Sequence, residues 1–180
     1  MKFAVTMSVL CLACFAHCKE NFASQYADDP KLSDKEAVKK IIDTCVVRAT
    51  YDLRGMTVNE DQSGFRVKLD LNKDPKTATR NLEMEKDGFR RSAADTLLCS
   101  LRVGEKRKLR ELTISYFLVF SKSKQISFSE QSPDAQEVYR FSLAREDLGD
   151  AQALKLADSE LVASKMKVHV DDWEGIGFVE

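Results

Sequence analysis

The chain has 180 residues, of which 43% are hydrophobic and 32% are charged, the balance of an ordinary globular protein. Its formal net charge of −1 at pH 7 excludes a strongly basic field, and with it a protein that binds nucleic acid or an anionic membrane mainly through charge. The length suits one domain with a leader or an appendage.

The first segment has the pattern of a secretory signal. Lys2 is its only charge ahead of an apolar run over residues 3–16, which is shorter than the roughly 20 apolar residues of a membrane span. A buried N-terminal helix is the alternative, but the run shows no polar face. We therefore predict a signal sequence over residues 1–17 and an exported protein, either periplasmic, held at the outer membrane or secreted.

The site at which this leader is cut stays open. The residues Phe15-Ala16-His17-Cys18 stand directly before a charged segment. They resemble a relaxed form of the bacterial lipoprotein lipobox, with His17 where a small residue is usual. The resemblance implies that Cys18 is acylated and tethers the protein to a membrane. Cleavage by an ordinary signal peptidase, near residue 16 or near residues 23–24, is the alternative.

Next come a tether and a first helix. Residues 18–32 are polar and contain Asp28-Asp29-Pro30, which predicts a flexible tether. Ser33 and Glu36 have the spacing of a capping box, so a helix begins there and ends by Gly55. Its apolar residues recur at helical spacing and predict one buried face: Val38, Ile41, Ile42, Cys45 and Ala49.

The middle of the chain predicts strands around a second helix. Residues 65–71 alternate between apolar and polar side chains, as in a half-buried strand. A turn signal at residues 73–76 and a second alternation over residues 80–85 predict the other strand of a hairpin. A helix from about Gly88 to Arg102 follows, carrying Cys99. The basic run at residues 106–110 is predicted to be a solvated loop or helix end rather than a phosphate contact.

A β-prone run over residues 111–120 predicts a central strand. The fold class is therefore α+β over residues 33–130, a small antiparallel sheet with helices packed on one face. Residues 131–180 are predicted to be a C-terminal extension that packs on this domain or docks to it. Within the extension, Ser132-Pro133 favours a helix start, whereas residues 139–143 alternate as in a strand. Trp173 either docks to a partner or packs back on its own domain.

Two cysteines, Cys45 and Cys99, lie in the predicted domain. An exported compartment allows a disulfide between them, and a bridge over so long a loop stabilises by about 4 kcal/mol. Two buried free thiols are the alternative. After the predicted leader there is no CxxC pair and no Cys/His spacing that suits zinc, so we predict neither a redox motif nor a metal site.

Catalytic motifs are scarce. His169 is the only histidine after the predicted leader, and its neighbours Val168 and Val170 place it on the wetter face of an alternating segment. The sequence has no phosphate-binding glycine loop and no nucleophile elbow. We predict a protein that is not an enzyme and uses no cofactor. A small secreted hydrolase or thiol enzyme, pairing His169 with Ser164 or a free cysteine, is the alternative. A structural or ligand-binding lipoprotein is a further one.

The order of these elements resembles a known domain. A helix with Cys45, a hairpin, a helix with Cys99 and the strand ending at Phe120 resemble the C-terminal domain shared by TonB, TolA and AgmX-type envelope proteins, over residues 33–121. The residue Phe117 stands where that family often has proline. The resemblance implies another envelope protein as partner, which adds a strand to an exposed sheet edge and contacts Tyr116, Phe117 and Phe120.

Overall fold

The computed structural model describes residues 19–46, 50–73, 81–119, 135–149 and 159–173. The elements, labelled in chain order, are α1 (residues 19–28), α2 (Asp34–Cys45), β1 (Tyr51–Asp61), β2 (Gly64–Lys73), α3 (Leu82–Gly104), β3 (Leu109–Val119), β4 (Ala135–Ala144), α4 (Ser159–Lys165) and β5 (Lys167–Asp171). Short 3-10 helices lie at Glu105–Arg107 and Arg145–Leu148. The predicted signal sequence lies outside the described residues. Within those residues, no helix is both long enough and apolar enough for a bilayer crossing.

The strands of the described chain form one five-stranded sheet in the order β1-β2-β3-β4-β5. Strands β2 and β3 are parallel, and the other three neighbouring pairs are antiparallel. Adjacent parallel strands need a crossover between them, and α3 provides it. The predicted α+β class is confirmed, with a mixed sheet in place of a wholly antiparallel one.

Strand β1 lies where the sequence predicts the end of the first helix and the loop after it. Helix α2 ends at Cys45, well short of the predicted limit at Gly55. A bulge between Leu53 and Gly55 shifts the register of β1 against β2. The bulge interrupts the two-residue alternation that would reveal a strand, and the polar residues of β1 favour a loop.

The start of α3 replaces the strand predicted over residues 80–85. Asn81 caps this helix, because its side-chain oxygen accepts hydrogen bonds from the backbone N–H groups of Glu83 at 3.0 Å and Met84 at 3.2 Å. Leu82 and Met84 therefore lie in the first turn of a capped helix, and their alternation does not mark a strand. The partner of β2 in the hairpin is the preceding strand, β1.

Helix α2 forms as the sequence predicts. The Ser33 backbone N–H donates to Glu36 Oε2 at 3.1 Å, and the Glu36 N–H donates to Ser33 Oγ at 3.3 Å, which completes the capping box. The buried side chains share the predicted face: Ala37, Val38, Ile41, Ile42 and Cys45. Ala49 lies outside the described residues.

The disulfide predicted between Cys45 and Cys99 is present and joins α2 to α3. The two Cα atoms are 5.8 Å apart and the cysteines are 54 residues apart in sequence. Both are almost fully buried. On the chain-entropy account, a crosslink closing a loop of this length stabilises the fold by about 4 kcal/mol.

Residues 19–28 form α1, in place of the flexible tether that the sequence predicts over residues 18–32. Ala23 and Ala27 of this helix are buried, and they pack in one apolar cluster with Ile41, the disulfide and Val103. Small side chains at a spacing of four residues let α1 approach this cluster closely. The apolar stripe of this helix is narrow and made of alanines, so the spacing of apolar residues in the sequence does not reveal it.

Arg107 fixes the connection between α1 and α2. Its guanidinium donates to the backbone carbonyls of Ala27 at 2.8 Å and Asp29 at 2.6 Å, and to Asp34 Oδ1 at 3.0 Å. The side chain is only 14% exposed. Arg107 is therefore a largely buried structural contact, because it supplies donors that the end of α1 lacks. The other basic residues of the run, Lys106, Lys108 and Arg110, are exposed after the end of α3, as predicted.

The C-terminal region belongs to the same sheet. Strand β4 pairs with β3 through Ile114↔Phe141 and Tyr116↔Tyr139, and β5 pairs with β4. The strand interpretation of residues 139–143 is confirmed. Trp173 packs back on the domain, with ring centroids 5.0 Å from Tyr139 and 5.6 Å from Phe89. The described residues 135–149 and 159–173 thus contribute strands β4 and β5 to the sheet of the domain.

Replacing Arg107 with alanine is expected to lower the free energy of unfolding by about 2 to 3 kcal/mol, because several charge-assisted hydrogen bonds are lost at once. Lys106→Ala is the matched control. It removes an exposed pair with Asp28, whose side chains are 65% and 60% exposed, and should cost less than about 0.5 kcal/mol. Urea unfolding of both variants measures the difference. Equal losses would contradict the assigned role of Arg107.

Stability is expected to fall at alkaline pH. Burial raises the pKa values of Tyr51 and Tyr116, and raises the pKa of Tyr139 to about 12. Unfolded tyrosines ionise near pH 10, so the neutral phenols stabilise the fold below pH 10 and this contribution is lost as the pH rises toward 12. Unfolding experiments at pH 8 to 12 should show a loss of about 2 kcal/mol or more. Tyr139→Phe should reduce that loss, and an unchanged profile would contradict the burial account.

Candidate functional site

The sheet has one apolar face and one polar face. Residues facing α3 form the core, and the residues between them in sequence point to the opposite side. We call that side the polar face: Arg66, Lys68, Asp70, Asn72, Thr113, Ser115, Phe117, Arg140 and Ser142. The side chains of Arg66 and Lys68 are 53% and 44% exposed. On this surface, polar side chains from β2, β3 and β4 come together.

The charges of the polar face are largely paired with each other. Lys68 Nζ lies 3.2 Å from Asp70 Oδ1, and Arg66 Nε lies 3.6 Å from Glu111 Oε2. Such partly exposed pairs contribute little to stability, but they leave no uniform positive field. Positive and negative side chains therefore lie next to each other on the described part of this face.

Glu137 and Arg140 add a further pair at the end of this face. Arg140 Nε donates to Glu137 Oε1 at 2.9 Å. Burial opposes ionisation of Glu137, but hydrogen bonds from Arg140 and Ser115 outweigh it and lower the pKa of that carboxyl below its usual value. Glu137 is thus held as a carboxylate and is poorly suited to donate a proton.

A serine and a histidine meet on the polar face. Ser142 Oγ of β4 lies 2.6 Å from Nε2 of His169 on β5. A bulge in the β4–β5 register, where Arg140 pairs with Val170 and Phe141 with Val168, leaves His169 as the extra residue and turns its ring toward Ser142. His169 is exposed, as predicted from its flanking valines, but the sequence does not reveal its partner.

The predicted enzymatic pairs are absent from the described residues. Ser164 donates its hydroxyl to the backbone carbonyl of Leu161 at 2.7 Å, within its own helix. Cys45 and Cys99 are bonded to each other, so neither is a free thiol. Within the described chain, His169 has no carboxylate partner that would orient its ring, and Ser142 is almost fully buried. A serine nucleophile needs both access and an oriented base.

Two of the three predicted partner-binding residues, Tyr116 and Phe117, lie on a strand inside the sheet and not at its edge. Strand β3 pairs with β2 on one side and with β4 on the other, so its backbone groups are used within the sheet. Tyr116 is fully buried among the aromatic side chains of the core. Phe117 lies on the polar face, partly covered by the guanidinium of Arg54 at 4.7 Å from the ring centroid. Phe120 lies outside the described residues, as does Cys18.

Within the described residues, the edges of the sheet are formed by β1 and β5. Strand β1 has 11 residues and β5 has 5. Leu53 of β1 is 39% exposed, and Met56 and Val58 are partly buried along the same face. A long edge strand with apolar residues at alternate positions is the surface that strand addition requires. It is distinct from the strand that the sequence indicates.

Polar side chains also line clefts at two places on the described surface. A cleft of about 620 Å³ lies beside α1, lined by Glu20, Asn21, Ser24 and Arg102 among others. A smaller one of about 200 Å³ lies between Arg66, Arg110 and Glu146. Within the described chain, no group of three or more His, Cys, Asp or Glu side chains is placed to hold a metal ion.

Comparison of the chain with protein-family models, with curated proteins and with solved structures found no match.

Ser142 is expected to stay unlabelled by a fluorophosphonate probe. Its side chain is almost fully buried, and His169 lacks an orienting carboxylate among the described residues. Intact-protein mass spectrometry after probe treatment measures the outcome, with Ser142→Ala and His169→Ala as controls. Covalent labelling of the unmodified protein that both variants abolish would instead establish an activated serine.

Proposed function

We propose that this chain is an exported, envelope-associated protein-interaction domain, not an enzyme, and that it binds its partner through the free edge of β1. The observation that carries the proposal is the length of this edge. In the described part of the chain, β1 pairs only with β2 and leaves its other side without a strand. Unpaired N–H and C=O groups along such an edge are a template for another strand.

Strand β1 suits this role better than β5. Its pairing with β2 runs without interruption from Gly55 to Asp61, whereas a bulge lies within the much shorter β5 pairing. Short and bulged edges resist strand addition. The continuous half of β1 is therefore the segment that would receive a partner strand.

The side chains of β1 specify the chemistry of that strand. Met56 and Val58 are partly buried on the core side, while Thr57 and Asn59 are exposed on the opposite side. An added strand would continue both faces of the sheet. We therefore propose a partner segment with apolar residues at alternate positions and polar residues between them.

The export part of the proposal has two supports. The leader carries one lysine ahead of a short apolar run, which is the pattern of a signal sequence. The buried disulfide between α2 and α3 is a feature that persists in oxidising compartments. Acylation of Cys18, with anchoring at a membrane, remains part of the proposal and rests on the four residues of the relaxed lipobox.

The resemblance to the TonB, TolA and AgmX-type domain also remains a proposal. In its favour, a helix with Cys45, a hairpin, a helix with Cys99 and a strand follow in that order within residues 33–121. The position of the binding edge is revised. Since β3 lies inside the sheet, a strand-adding partner would pair with β1 rather than with the residues around Tyr116.

Proline substitutions at Asn59 and Glu60 test the edge. Successive N–H groups along a strand point to opposite sides, so one of the two substitutions removes an outward donor and the other breaks the ladder with β2. The exposed side chains of both residues make packing losses small. We expect the outward variant to keep its melting temperature and to lose partner capture at least tenfold, whereas the inward variant loses melting temperature.

The measurement is capture from envelope extracts with quantitative mass spectrometry, using the exported chain as bait. Val168→Ser on β5, where the side chain is 51% exposed, is the control and should capture the same partner as the unmodified chain. If both proline variants capture the same proteins as the unmodified chain, or if the unmodified chain captures none, the edge proposal is wrong.

A further inference from the structure

Helix α1, the first described helix, packs into the apolar core of the fold. Ala23 is fully buried and Ala27 nearly so, and both belong to the buried cluster that contains Cys45, Cys99 and Val103. One face of α1 therefore helps to enclose the disulfide. Any processing event that removes this face would expose the bridge to solvent and to reductants.

The beginning of the described helix is also held in place. Lys19 Nζ donates to the backbone carbonyl of Val46 at 3.4 Å, and Lys19 and Asp95 attract each other electrostatically. One residue later, Glu20 Oε2 accepts a hydrogen bond from Arg102 at 2.8 Å, and these side chains are 11% and 23% exposed. A half-buried ion pair between α1 and α3 is a tertiary contact, not a feature of a leader peptide.

We infer that the leader is cut between Ala16 and Lys19, so that the mature chain keeps the whole of α1 from Lys19 onward. The inference rests on the export included in the proposed function. It selects among the cleavage sites that the sequence leaves open. The site near residues 23–24 is rejected, because that cut would remove Lys19, Glu20 and the buried Ala23.

The residues in the remaining interval suit such a cut. Signal peptidases require small residues at the first and third positions before the scissile bond. Cys14 and Ala16 meet this requirement for a cut after Ala16, and Ala16 and Cys18 meet it for a cut after Cys18. The relaxed lipobox places a third scissile bond directly before Cys18. The reaction is hydrolysis: water supplies a hydroxyl group to the new carboxyl end of the leader and a proton to the new amino end.

The test is the mass and amino-terminal sequence of the full chain after expression in an exporting bacterial host. A mature chain beginning at His17, Cys18 or Lys19 is expected. A lipid mass on Cys18 would indicate lipoprotein processing, and a start at His17 or Lys19 would indicate an ordinary signal peptidase. A start at Ser24 would overturn the inference alone. An unprocessed chain retained in the cytoplasm would overturn the export proposal with it.

A pair of substitutions tests the covering role of α1 independently. Ala23→Glu forces a carboxylate into the cluster over the disulfide, whereas Phe22→Glu alters a neighbour that is 59% exposed. The rate of disulfide reduction by dithiothreitol, without denaturant, is expected to rise about tenfold or more for Ala23→Glu and to stay unchanged for Phe22→Glu. Equal reduction rates in both variants and in the unmodified protein would contradict the inference.

Discussion

The crosslink between Cys45 and Cys99 is the constraint around which the helical layer is arranged. It ties α2 to α3, and α3 in turn packs on the apolar face of the sheet. Helix α1 closes the layer over the bridge, and Arg107 holds the turn that joins α1 to α2. The disulfide and the Arg107 guanidinium thus connect the first described part of the chain to the last turns of α3 and the 3-10 helix that follows it.

The position of α3 also determines which surfaces remain for a partner. Helix α3 connects the parallel neighbours β2 and β3, which lie inside the sheet, and among the described strands the edges are β1 and β5. The helices cover the apolar face, and the opposite face carries paired charges with the Ser142–His169 contact. Recognition by strand addition at β1 therefore needs no rearrangement of the core.

Strong local signals made much of the fold predictable. The capping box at Ser33, the alternation of residues 65–71 and the apolar run of β3 all appear in the structure as predicted. Weaker sequence patterns gave wrong predictions for α1 and β1, where tertiary contacts determine the local structure. The alanine face of α1 is buried in a cluster with Ile41, the disulfide and Val103, which are distant in sequence, and β1 is interrupted by a bulge. The Ser142–His169 contact depends on strand pairing across a sequence separation of 27 residues, which no local pattern encodes.

Non-reducing peptide mapping of the exported protein tests the central claim most directly. The account predicts one crosslinked peptide pair that carries Cys45 and Cys99, formed without added oxidant, and resistant to dithiothreitol until the protein is denatured. Recovery of both cysteines as separately alkylated free thiols would contradict it. That result would remove the crosslink beneath α1 and the strongest structural support for an oxidising compartment.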